Sequence, residues 1–141
     1  MHTLKGQYGQ AGEDFTKAIE LNPRYAKAYY NRGLAHFHQK RYELAIADFN
    51  KAIELKPKDV AAYSNRGLAF FQEGRYDRAI DDFNMAIILN PKLADAYFNK
   101  AAALERSGDA SEAQKAYQDF LKYAPPEATE RIKYARQKVT Q

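Results

Sequence analysis

Apolar side chains return along this chain at the spacing of helices, not strands. Ala61, Gly67, Leu68 and Phe71 include separations of three, four and seven residues, which set side chains on connected helix faces. Beyond them Tyr76, Ala79, Ile80, Phe83, Ala86 and Ile87 make the apolar stripe of a second helix. Gly74 falls where the first helix should end, because glycine tolerates the left-handed backbone of a helix terminus. Gly108 holds that column further on, whereas Lys40 holds it before. Repeated through the chain, the pattern predicts helices over 8–21, 26–39, 42–55, 60–73, 76–89, 94–107, 110–123 and 126–139.

The stripes are copies of one unit. Pro23, Pro57, Pro91 and Pro125 stand 34 residues apart, and each ends a second helix that proline cannot continue. On that period Tyr29, Tyr63 and Tyr97 align, as do Asn31, Asn65 and Asn99. Gly33 and Gly67 share a column with Ala101, and Ala45, Ala79 and Ala113 form another. Phe15, Phe49, Phe83 and Tyr117 align, as do Ala18, Ala52 and Ala86, with Phe120 in the last copy. Small residues let helices approach closely while aromatic rings fill the space opposite.

The ends depart from the middle. In register, Met1 to Lys5 would be the last turn of a first helix and Tyr8 to Leu21 a complete second one, so the partner expected over Phe15 and Ile19 is mostly missing. After Pro125 and Pro126, Ala128, Ile132, Ala135 and Val139 mark one side of a final helix whose other side is polar, as suits a cap.

The segment Ala26 to Asp59, AKAYYNRGLAHFHQKRYELAIADFNKAIELKPKD, resembles a tetratricopeptide repeat, and Val60 to Leu93 and Ala94 to Glu127 resemble two more. The resemblance implies an all-α fold, a right-handed α-α superhelix of helix pairs with a C-terminal capping helix. The chain then forms one domain: a partial repeat over 1–25, repeats over 26–59, 60–93 and 94–127, and a cap over 128–141. Arg32, Arg66 and Lys100 stand where that family usually has leucine, and Ala110 replaces its usual tyrosine. The arginine column reads either as aliphatic stems packing while the heads reach Asp48 or Asp82, or as a line of charge for an acidic partner; packing is the expected role.

Composition excludes more than it selects. With no cysteine among 141 residues, thiol chemistry and thiolate zinc sites are ruled out, which is compatible with a reducing compartment such as the cytoplasm. No apolar run approaches the roughly 18 residues needed to span a bilayer, and Met1 to Gln10 lack an apolar signal segment. Net charge is only +4, and acids interleave with bases except in the tail, where Arg131, Lys133, Arg136 and Lys138 face Glu130. His36 and His38 lie about 200° apart on a helix and cannot share a metal. His36 shares its column with Phe70 and Leu104 and so should pack. The pairs Glu13-Asp14 and Asp81-Asp82 read as complements to helix N-termini. Neither a nucleophile-base pair nor a phosphate-cradling glycine loop is present, so no catalysis, metal or cofactor is expected.

What remains is a surface. By the resemblance, the first helix of each pair lines the inner face, which carries Lys27, Ala61 and Asp95; Tyr30, Ser64 and Phe98; Asn31, Asn65 and Asn99; Leu34, Leu68 and Ala102; and Phe37, Phe71 and Glu105. Asparagine offers donor and acceptor without charge, so three in a row could pair with the amides of a peptide while Lys27, Tyr30, Leu34, Phe37, Ser64, Leu68, Phe71 and Phe98 take its side chains. A similar ladder lines the repeats of the O-GlcNAc transferases, yet asparagine is common in that column whatever the ligand. Repeats that hold acidic chaperone tails use a clamp of lysines, asparagines and an arginine; Tyr30, Ser64 and Asp95 occupy columns where cations are wanted, so no such clamp is expected.

A protein or peptide ligand on the inner face is therefore the leading expectation. The second is a homo-oligomer formed through the incomplete N-terminal repeat, around Tyr8, Ala11, Phe15 and Ile19. A third, RNA binding, draws on the tail cations but lacks a continuous basic stripe on the inner columns.

Overall fold

The computed structural model describes residues 4–141 and contains helices joined by short turns. They are α1 (Leu4–Leu21), α2 (Ala26–His38), α3 (Tyr42–Leu55), α4 (Val60–Gln72), α5 (Tyr76–Leu89), α6 (Ala94–Ser107), α7 (Ala110–Tyr123) and α8 (Thr129–Val139). Among the described residues there is no strand. Each helix packs on its sequence neighbours, and α4 also touches both α2 and α6. That closer approach of the first helices puts α2, α4 and α6 on the inside of the all-α superhelix.

Two recurring turns build the array. Between the helices of a pair, Lys40, Gly74 and Gly108 adopt φ of 62°, 74° and 91°. The following N–H groups, from Arg41, Arg75 and Asp109, each donate 2.9 Å bonds to the carbonyls of His36, Phe70 and Leu104. Lys40 has a Cβ in this left-handed region, a strain of about 1 kcal/mol that the two glycines escape. Between pairs, the proline turn is clasped from the next helix: Tyr29, Tyr63 and Tyr97 donate their hydroxyls to the carbonyls of Pro23, Pro57 and Pro91 at 3.0, 3.0 and 2.7 Å. The aligned tyrosines thus fix the turn as well as filling space.

The ends correct the sequence expectation. α1 is one helix from Leu4, not a terminal turn followed by a separate helix from Tyr8; Met1–Thr3 lie outside the described residues. Gly6 shares the column of Lys40, Gly74 and Gly108 but remains helical, since a left-handed residue is needed only to fold one helix back on another. At the other end α8 begins at Thr129 rather than 126. Ala124, before two prolines, is extended at ψ 134°, and a turn precedes the helix.

Core packing follows the columns. Phe49, Phe70, Phe83, Tyr117 and Phe120 are fully buried, beside alanines at 45, 52, 79 and 86 that expose nothing. Each such aromatic ring stabilises the fold by roughly 1.5–3 kcal/mol through burial. Gly33 and Gly67 lie directly against Phe49 and Phe83.

The unexpected cations are tied into this core. Arg32 grips Asp48 with two bonds of 2.8 and 2.7 Å, and Arg66 grips Asp82 with bonds of 2.9 and 2.7 Å. A further nitrogen of each reaches back to the preceding pair, to Thr16 at 3.1 Å and Asn50 at 2.8 Å. One guanidinium therefore ties three helices. In the third copy the acid's column holds Ala116, and lysine, Lys100, replaces arginine. Asp82 accordingly serves as the buried partner of Arg66 and is not a complement to a helix start; Asp14, in the same column of α1, is exposed. His36 packs beside the Arg32–Asp48 pair, its Nε2 3.6 Å from Asp48, and burial lowers its pKa despite the nearby carboxylate.

Candidate peptide-binding face

The inner face is built from α2, α4 and α6, the first helices that approach one another along the array. Lys27, Ala61 and Asp95 are exposed at its upper edge. Tyr30, Ser64 and Phe98, the three asparagines, Leu34, Leu68, Phe37 and Phe71 are all half-buried. Half-burial is what a wetted wall requires: the stems are fixed and one side of each group faces solvent.

The asparagines are not equivalent. Asn65 donates through Nδ2 to the hydroxyl of Tyr30, across to α2, and to the carbonyl of Ala61, both at 3.0 Å. Its donors are spent, its rotamer is locked, and its oxygen is left as an acceptor. Asn31 and Asn99 make no intramolecular side-chain hydrogen bond among the described residues, so each keeps donor and acceptor. Phe37 and Phe71 meet Tyr42 and Tyr76 edge-on, with ring centroids 5.4 and 5.3 Å apart, which anchors them to their own pairs.

Phe98 sits differently. Its ring contacts Phe120, Tyr117 and Tyr134, with centroids 5.0, 5.7 and 6.2 Å away, and the Arg131 guanidinium lies 5.6 Å from it. The capping helix draws it in. Arg131 pairs with Asp95 at 2.6 Å, Lys138 with Glu105 at 2.8 Å, and Tyr134 donates to Glu105 at 3.2 Å, so α8 is laced onto α6. Tyr117 also donates to Glu105. Burial alone would raise the pKa of Glu105, but these donors together outweigh it and hold the carboxyl below its ordinary value. The Tyr117 hydroxyl is pushed up, by burial first and then by Glu105.

Sequence reasoning placed the three asparagines and their aromatic neighbours on one face. It missed Tyr117, Tyr134 and Arg106, which border the same face from α7, α8 and the end of α6. The signal was present in the departures Ala102 and Glu105, where earlier copies have leucine and phenylalanine. Tyr8, Ala11, Phe15 and Ile19 are half-buried along α1 and not bare, with Tyr8 stacked on His38 at 4.8 Å. Among the described residues no cluster of metal-ligating side chains occurs, and no helix is long and apolar enough to cross a membrane.

Among curated proteins, none matches the sequence. Among solved structures, the MamA protein superposes with a TM-score of 0.81 at 30% identity, over 88% of this chain and 68% of that one. The first TPR of Spaghetti (RPAP3), solved with the HSP90 peptide SRMEEVD, gives a TM-score of 0.72 at 28% identity, over 82% of this chain and 94% of that one. MamA from Desulfovibrio magneticus RS-1 gives 0.80 at 24% identity over 84% and 67%, a likeness of fold alone. Models described as "Tetratricopeptide repeat" match residues 26–59, 60–93 and 83–115, and one described as "TPR repeat" matches residues 1–40. The chain belongs to the tetratricopeptide repeat family.

Proposed function

We propose that this protein-interaction scaffold binds an extended peptide or a partner's helix along the inner face of α2, α4 and α6. The observation that carries the reading is the asparagine row set among half-buried apolar groups. Asn65 is locked by Tyr30 and Ala61 and presents an acceptor, while Asn31 and Asn99 keep both hydrogen-bonding functions. Fixed polar groups of this kind set the register of a peptide backbone, and Leu34, Leu68, Phe37 and Phe71 supply apolar area at roughly 25 cal/mol per Å². The peptide-bound Spaghetti repeat is consistent with such a use of the fold. The test takes random peptides displayed on phage, selects those retained by the protein, and measures the best by calorimetry. Asn65→Ala with Phe71→Ala should weaken that peptide at least roughly tenfold while the helical circular dichroism is unchanged. Equal affinity for the double variant would remove the inner face from consideration.

A second reading concerns α1, and comparison between columns favours it. Phe49 and Phe83 expose 0% and Tyr117 1%, whereas Phe15 in the same column is only half-buried. Ala11, Ala18 and Asp14 are likewise more exposed than their counterparts Ala45, Ala52 and Asp48. This face of α1, with Tyr8 and Ile19, would be covered by a second copy of the chain. Light scattering should then give a mass above that of one chain, reduced to one chain by Phe15→Ser. A single-chain mass at high concentration for the unaltered protein would end this reading.

A further inference from the structure

The inner wall is not uniform along the array. In the first two copies the columns facing the trough carry Leu34 with Phe37 and Leu68 with Phe71; in the third they carry Ala102 with Glu105. Leucine to alanine removes volume from the wall, and Glu105 turns toward Lys138, Tyr117 and Tyr134 instead of filling it. A hollow of ≈ 380 Å³ opens there, between α4, α6, α7 and α8. Ala102 and the rings of Phe71, Phe98, Tyr117 and Tyr134 line it. The last three rings are mutually tilted by 59°, 70° and 71°, the edge-to-face arrangement that accepts one more ring or a branched aliphatic group.

We propose that this hollow is the specificity pocket of the inner face, seating one large apolar side chain of a peptide in which an adjacent residue is acidic. The proposal rests on the reading of the inner face as a peptide trough. The charges at the mouth decide the flanking residue. Glu105 is already matched by Lys138 and receives both tyrosine hydroxyls, and Arg131 is matched by Asp95. Arg106 is exposed, lies 5.8 Å from the Phe71 ring centroid, and makes no ion pair among the described residues. The unmatched charge is thus positive, which attracts a carboxylate. Aromatic walls also suit an organic cation, but the only acid lining the hollow is saturated by its own donors and Arg106 opposes a second positive charge.

The same phage-displayed random peptides test this, selected in parallel on the unaltered protein, on Ala102→Leu and on Arg106→Glu. Ala102→Leu restores the side chain of the earlier copies and takes up space in the hollow without adding polarity. The unaltered protein should enrich peptides with phenylalanine, leucine or methionine beside aspartate or glutamate. Ala102→Leu should abolish that enrichment and weaken the consensus peptide roughly tenfold, with an unchanged thermal midpoint and with binding still sensitive to Asn65→Ala. Arg106→Glu should shift the flanking preference from acidic to basic. Enrichment that survives Ala102→Leu overturns the pocket and leaves the trough standing. A basic flank on the unaltered protein overturns the charge assignment. Failure to retain any peptide overturns the trough, and the pocket with it.

Discussion

Replacing Arg66 by leucine, the residue the family usually has there, should destabilise the protein by about 3 kcal/mol, read from urea unfolding followed by circular dichroism. The size comes from what is left behind. Asp82 is 3% exposed and accepts both of its strong bonds from Arg66. Leucine would fill the arginine's place but leave a carboxylate with no bidentate partner in a site closed to water. The reverse substitution is milder. Arg66 is 18% exposed along its side chain and also bonds Asn50, so after Asp82→Ala its head still has a partner and a route to solvent. Asp82→Ala should therefore cost about 1–2 kcal/mol, consistent with a lost hydrogen-bonded pair but no stranded charge. Arg66→Leu combined with Asp82→Ala should lie well above Arg66→Leu alone, because the stranded group has gone. The third copy already runs without the pair, with Ala116 in the acid's column.

Acidity gives a second readout of the same variant. Burial raises the Asp82 pKa, and the Arg66 hydrogen bonds pull the other way. Removing Arg66 leaves burial less opposed, so the folded-state pKa rises further above the unfolded one. A folded state that holds its proton more tightly gains stability as pH falls through that raised value and loses it as pH climbs back. The deficit of Arg66→Leu should be greatest at neutral pH and shrink on acidification. A deficit independent of pH would mean that lost packing, not the carboxylate, sets the cost.

The columns that repeat were legible in the sequence because each has one physical job. Glycine opposite phenylalanine recurs in two copies, and proline at the end of a pair with tyrosine six residues later recurs three times with the same geometry, so the helices and most of their boundaries could be written down directly. The arginine column was legible as packing, and the acids it meets were named, because helix register brings residues sixteen apart together across a pair. The ends were less legible. α1 runs through Gly6, and α8 starts three residues late, because no neighbouring copy dictates their turns. The candidate site was half legible: the inner columns follow from the repeat, but the hollow depends on α8. That helix lies outside the period's pattern and reaches α6 through Arg131, Tyr134 and Lys138, contacts that no earlier copy contains.

The same substitution at two glycines should move stability in opposite directions. A Cβ at Gly67 would stand 2.7 Å from Cε1 of Phe83 and 3.0 Å from Cδ1. Phe83 exposes nothing and is held by Ala69, Phe70, Ala79 and Ala103, so the ring has nowhere to go. Overpacking of this kind costs about 1–3 kcal/mol, and the better helix propensity of alanine returns about 1 kcal/mol. Gly67→Ala should therefore lower stability by up to about 2 kcal/mol, and Phe83→Leu added to it should recover part of the loss by withdrawing the ring edge. The third copy shows the alternative solution, a buried Ala101 in the glycine's column facing the Tyr117 column, so the clash lies in the spacing of α4 and α5 and not in alanine as such. At Gly12, in the middle of α1, an added Cβ would meet nothing within 4 Å. There only the propensity gain remains, and Gly12→Ala should raise the stability of α1 by about 0.5–1 kcal/mol, seen as slower amide exchange along that helix. Equal effects at the two sites would mean that helix propensity governs both and that the close approach of Phe83 to α4 carries no energetic weight.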